Sequence, residues 1–174
     1  MERRNFPRDR AFILASIICV AWVLFIFSLS FQSYQEQDLQ PYLKERVPRE
    51  TLEENLPRVE FRYSRGIQSY REPYRFIHFI IRKGAHLVIY AFLALLLVYQ
   101  QLLHKRDPLR AFTRALIMLV VIAILDEGIQ YFHEDRSGMI EDVILDLWGS
   151  IFVLGWLAFR GRDLRRPTLT GSFK

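Results

Sequence analysis

Residues 11–35 contain no Asp, Glu, Lys or Arg. Within that stretch, residues 11–31 make an apolar run of 21 residues. A helix needs about 20 such residues to cross a bilayer. A secretory signal has a shorter apolar core and a small-residue cleavage site. This run has neither, so it is predicted to be an uncleaved transmembrane helix. Residues 1–10 before it carry four arginines and two acids. The lone Cys19 lies inside the run, rules out an internal disulfide and reads as a small packing residue.

The average composition hides this. The chain has 174 residues, 51% hydrophobic and 25% charged, enough for one domain of ordinary soluble appearance. The two classes are segregated, however. Three more apolar runs, at residues 84–103, 115–132 and 140–159, are predicted to span as well. The expected fold is therefore all-α, an integral membrane four-helix bundle. A long irregular loop, residues 33–82, joins the first two spans and holds nine basic and eight acidic residues. Prolines 41, 48, 57 and 73 divide it. Residues 43–56 suit one or two short helices. Val59, Phe61 and Tyr63 alternate with polar residues, a weak strand signal. Residues 74–81, YRFIHFII, are expected to lie in the membrane interface, with His78 an interfacial aromatic rather than a ligand.

The basic short segments are the N-terminus, residues 104–114 and the tail from Arg160. The positive-inside rule places these, and so both termini, in the cytoplasm. The loop 33–82 and the turn 133–139 then face outward. The net charge of +5 does not indicate nucleic acid: basic residues are scattered, and no zinc spacing, helix-turn-helix pattern or phosphate loop is present.

This topology gathers polar groups at one membrane face. Arg82, Lys83, His86 and Tyr90 lie towards the outer end of the second span. Asp126, Glu127 and Gln130 lie near the outer end of the third, Arg136 in the outer turn, and Asp142 and Asp146 in the outer half of the fourth. Asp126 and Asp146 fall about 9 Å below the boundary at the rise of an α-helix. A charge in the membrane costs roughly 2.5–3.5 kcal/mol on insertion scales, so such a cluster is a functional-site hypothesis. Lys83, His86 and Tyr90 share one helical face. Asp126 and Gln130 are four apart, as are Asp142 and Asp146. Gly128, Gly149 and Gly155 are positions where helices can approach closely.

Two chemistries suit these residues. His86, Glu127 and Asp142, with Asp126 and Asp146, can serve as acid/base groups or divalent metal ligands. Lys83 and Arg136, with Arg82, Gln130 and Tyr90 beside them, can hold a phosphate or carboxylate, such as an anionic lipid or an undecaprenyl-type phosphate. The alternative is purely structural: ion pairs lock the helices, and the outer loop binds a protein partner. A transporter or channel would need polar residues along the inner halves, which read as almost wholly apolar.

At these residues the chain resembles the VanZ-like membrane proteins. The matching stretches are Arg82-Lys83-Gly84-Ala85-His86 with Tyr90, then Asp126-Glu127 with Gln130, then Arg136-Ser137-Gly138, then Asp142 with Asp146 and Gly149. Phe27-Ser28-Leu29-Ser30-Phe31-Gln32 is similar to the end of that family's first helix. Asp146 stands where the family often has Asn, and Glu134-Asp135 where it often has Pro-Gly. The resemblance covers most of residues 20–160. It implies a cell-envelope role linked to low-level resistance to teicoplanin, a glycopeptide acting on cell-wall precursors outside the membrane. It implies a location in the bacterial plasma membrane and leaves any cofactor or metal unspecified.

Overall fold

Four long helices form over the apolar runs. They are α1 (Phe6–Ser30), α4 (Pro73–Leu103), α5 (Pro108–Tyr131) and α6 (Ile140–Asp163). Between α1 and α4 come α2 (Gln40–Arg46), α3 (Arg49–Asn55) and two short strands, β1 (Glu60–Tyr63) and β2 (Gly66–Ser69). The computed structural model describes residues 6–64, 66–103, 107–132 and 140–163.

Three of these helices, α1, α4 and α5, are long and apolar enough to cross a membrane. The sequence suggested four spans. The fourth long helix, α6, does form, but it carries Glu141, Asp142 and Asp146 in its first two turns. Burial across all four helices is that of a membrane protein. Ile13, Ile17, Leu24, Val88, Ile117, Val121, Phe152 and Trp148 point outward, whereas Asp126, Glu127, Gln130, Asp142 and Asp146 are buried. Water would favour the opposite arrangement.

Helix α4 begins at Pro73, eleven residues before the expected start of the second span. Gly84 does not end it, since one interior glycine costs only about 1 kcal/mol. Its 31 residues reach about 46 Å, well beyond the roughly 30 Å of a hydrocarbon core. The segment 74–81 thus forms the first turns of α4. Its aromatics receive the hairpin: Phe61 packs on Phe76 and Phe79, with centroids 6.2 and 6.0 Å apart, and Tyr63 packs on Phe79 at 5.1 Å. Tyr74 donates to the Val47 carbonyl at 2.8 Å, holding the α2–α3 corner on the same helix. His78 is buried, accepts from the Leu39 amide at 3.3 Å and meets the Tyr34 ring edge-on.

Helix α5 also starts earlier than expected, by seven residues. Asp107 accepts the Leu109 amide at 3.1 Å as N-cap and Pro108 takes the first helical position. Both are strong start signals that the apolar pattern overshadowed. The strands pair antiparallel with Phe61 opposite Gln68 and Tyr63 opposite Gly66. Ser64 enters the hairpin turn at φ 51°, in the left-handed region.

Helix α4 packs against α1, α5 and α6, and α5 packs against α1 and α6 as well. The core lies along α4 through Tyr90, Leu93, Ala94, Leu97 and Val98, facing Ala115, Leu119 and Ala123 of α5. Alanines on α5 let the helix axes come close. Another close approach is at Gly149 of α6, where an added Cβ would lie 2.8 Å from the Leu87 carbonyl oxygen. Gly128 and Gly155, expected to make similar approaches, have nothing within 4 Å of that position.

Candidate functional site

The chain reverses direction between successive long helices. The C-terminal ends of α1 and α5 therefore meet the first half of α4 and the start of α6. This is where the polar residues gather. Each is placed by helical spacing on its own helix, and the packing above brings them face to face.

Asp126 of α5 is a buried junction, at 1% exposure. Ser30, the last residue of α1, donates to its Oδ1. Tyr90 of α4 donates to its Oδ2 at 3.0 Å. Gln130, one turn along α5, has its amide nitrogen 3.5 Å from the same oxygen. One carboxylate thus ties three helices, and hydrogen bonds to a charged acceptor are worth about 1.5–3 kcal/mol.

Asp146 of α6 is fully buried. Its Oδ1 lies 3.3 Å from Nδ1 of His86 on α4. One turn later Ser150 lies 3.2 Å from the Tyr90 carbonyl oxygen, close to the Gly149–Leu87 contact. His86, Asp126 and Asp146 each offer a ligand atom within 4.8 Å of the other two.

A second group lies one turn nearer the hairpin. Lys83 donates to Asp142 Oδ1, and the hydroxyl of Tyr63 on β1 donates to the same oxygen at 2.7 Å. The Lys83 ammonium also stands 4.9 Å from the Tyr63 ring centroid, within cation–π range. Burial, then the hydrogen bond to Asp142 and its charge, push the Tyr63 phenol above the usual tyrosine range. The hairpin therefore covers this end of the site through a specific polar contact.

The structure brings together Lys83, His86, Tyr90, Asp126, Gln130, Asp142 and Asp146. Glu127 is also buried on α5. Arg82 points elsewhere, its guanidinium 5.9 Å from the Tyr34 ring centroid. Arg136 lies outside the described residues. The convergent metal-type trio is His86, Asp126 and Asp146, whereas Asp142 is engaged by Lys83 and Tyr63. Sequence reasoning missed Ser30, Ser150 and Tyr63 as members. For Tyr63 the alternation of residues 59–63 was a usable signal, and Ser30 stands in the Phe-Ser…Gln stretch that ends α1.

The other half of the helices is less apolar than the sequence suggested. Gln100 donates to Ser16 at 3.0 Å, and Gln101 to Gln100 at 2.7 Å. Leu93, Ala94, Leu97, Val98 and Leu119 separate this group from the acidic cluster, and no continuous polar path joins the two among the described residues.

A protein-family model described as VanZ/LLP1 matches residues 14–161, from the first long helix to the last. Searches of curated proteins and of solved structures found no match.

Proposed function

The chain belongs to the VanZ/LLP1 family, and on that premise we propose that it binds or modifies an anionic lipid-linked molecule of the bacterial cell envelope. In this reading it crosses the plasma membrane four times as a helical bundle with both termini in the cytoplasm. The polar cluster then opens to the outer face, where lipid-linked wall precursors and glycopeptides such as teicoplanin meet. Low-level resistance to teicoplanin is the expected phenotype.

The observation that carries this reading is the Lys83–Asp142–Tyr63 group. It places an ammonium and a phenol as donors at the hairpin end of a buried acidic cluster. A phosphate oxygen offers those donors the same acceptor chemistry that Asp142 offers them. Behind them, His86, Glu127 and the aspartates supply acid/base groups.

The test is teicoplanin susceptibility of a Gram-positive host expressing wild type, Glu127→Gln or Asp142→Asn at matched membrane levels. Protection by wild type and not by the variants supports the reading. Equal protection by all three removes an acid/base role for these carboxylates. No protection by wild type removes the resistance phenotype.

A second reading is a non-enzymatic membrane partner whose cluster sets helix packing. It is favoured by Asp126, which joins α1, α4 and α5 through Ser30 and Tyr90. There the same variants lower the amount of folded protein in the membrane.

A further inference from the structure

We propose that His86, Asp126 and Asp146 form a binding site for a divalent metal ion of the zinc or manganese class. The three residues come from three helices, and their ligand atoms lie within 4.8 Å of one another. Ligands about 2.0–2.2 Å from a shared ion stand about 3–4.4 Å apart, so small side-chain movements complete the shell.

The independent observation is Asp146. It is fully buried, and its Oδ2 has no hydrogen-bond partner among the described residues. Its Oδ1 faces His86 Nδ1 at 3.3 Å, an ion pair when the imidazole is protonated. A carboxylate left this way in a low-dielectric interior is costly. Asp126 stands nearby on α5, and two carboxylates so close repel each other unless a proton or cation lies between them. Asp142 needs no such ion, because Lys83 already matches it.

The surroundings are those of ligating residues. Ser30 and Tyr90 each donate to a different oxygen of Asp126, which orients the carboxylate as partners of a metal ligand do. One imidazole and two carboxylates, without a thiolate, suit Zn²⁺ or Mn²⁺ better than Cu(I), and the imidazole disfavours Ca²⁺. Three protein ligands would leave coordination positions open to water or a ligand oxygen. The site does not depend on the anionic-lipid reading, since the ion alone is the probe.

The experiment is metal content of the full chain, purified in detergent with a non-histidine tag, incubated with Zn²⁺ or Mn²⁺ alone and desalted. Wild type should retain about one ion per chain. Asp146→Asn and His86→Gln should abolish retention. Tyr90→Phe, which keeps all three ligands, should weaken affinity about tenfold or more. If Asp146→Asn does not fold, wild type and Tyr90→Phe decide the matter. Folded wild type that retains neither ion overturns the proposal, as does equal retention by wild type and the folded variants.

Discussion

Gly149 of α6 rests against Leu87 of α4 so closely that a Cβ would come within 2.8 Å of the Leu87 carbonyl oxygen and 2.9 Å of its Cγ. The contact is one residue from His86 along α4 and three from Asp146 along α6. It sets the distance across which those two side chains face each other. Gly149→Ala should lower stability by about 1–3 kcal/mol, because backbone rather than a flexible side chain must give way. Gly128→Ala is the matched control. Its Cβ would meet nothing within 4 Å, and alanine should gain about 0.5–1 kcal/mol in a helix interior. Thermal unfolding in detergent should move in opposite directions for the two. Equal effects would remove the close approach as the reason for the glycine.

The Lys83–Asp142 pair has side chains only 15% and 5% exposed. Removing one partner leaves the other charge buried. Lys83→Met should therefore cost about 3–5 kcal/mol. Adding Asp142→Asn to the same chain should restore most of that loss. Denaturant titration of both variants checks the pair, and an additive double variant would show that the two charges do not depend on each other.

Tyr63 links the hairpin to the pair. Its folded-state pKa is raised by burial first and by Asp142 second. A phenol protonated more readily in the folded state contributes stability that is complete below the ordinary tyrosine pKa of about 10. That contribution fades as pH rises above it, because the unfolded chain gains from ionisation first. Melting temperature should thus fall more steeply above pH about 10 for wild type than for Tyr63→Phe. Parallel curves would show that burial and Asp142 together do not raise the Tyr63 pKa.

Phe76 is buried under the hairpin against Phe61. Phe76→Ala should cost about 3 kcal/mol of packing. The loss should fall on hairpin docking rather than on the long helices. Limited trypsin digestion should then cut faster after Arg58, Arg62 and Arg71 while the helical signal in circular dichroism persists. Unchanged protection would assign the docking to the α2–α3 corner instead.

Much of this architecture was legible in residue order. A charge-free stretch of membrane length permits little except a spanning helix, because an unpaired backbone has no partner in hydrocarbon. Alternation around Phe61 and Tyr63 marked β1, and proline spacing marked the two short helices. Helix starts are less legible. The aromatics of residues 74–81 suit an interface, and in the fold they also open α4 and form a platform for the hairpin. The start of α5 was readable from Asp107-Pro108, since an N-cap acid before proline is a local signal.

By itself, the sequence determined that the helices are long and apolar, that the chain reverses between them, and that the polar residues collect at one end. Those features follow from hydropathy, length and helical spacing, all local along the chain. Only the tertiary structure decided which acid meets which partner. Asp126 takes Ser30 and Tyr90, Asp142 takes Lys83 and Tyr63, and Asp146 faces His86. Three aspartates of similar chemistry are interchangeable in a sequence. They become distinct when α6 seats Gly149 on Leu87 and that contact fixes which faces of α4, α5 and α6 look at one another.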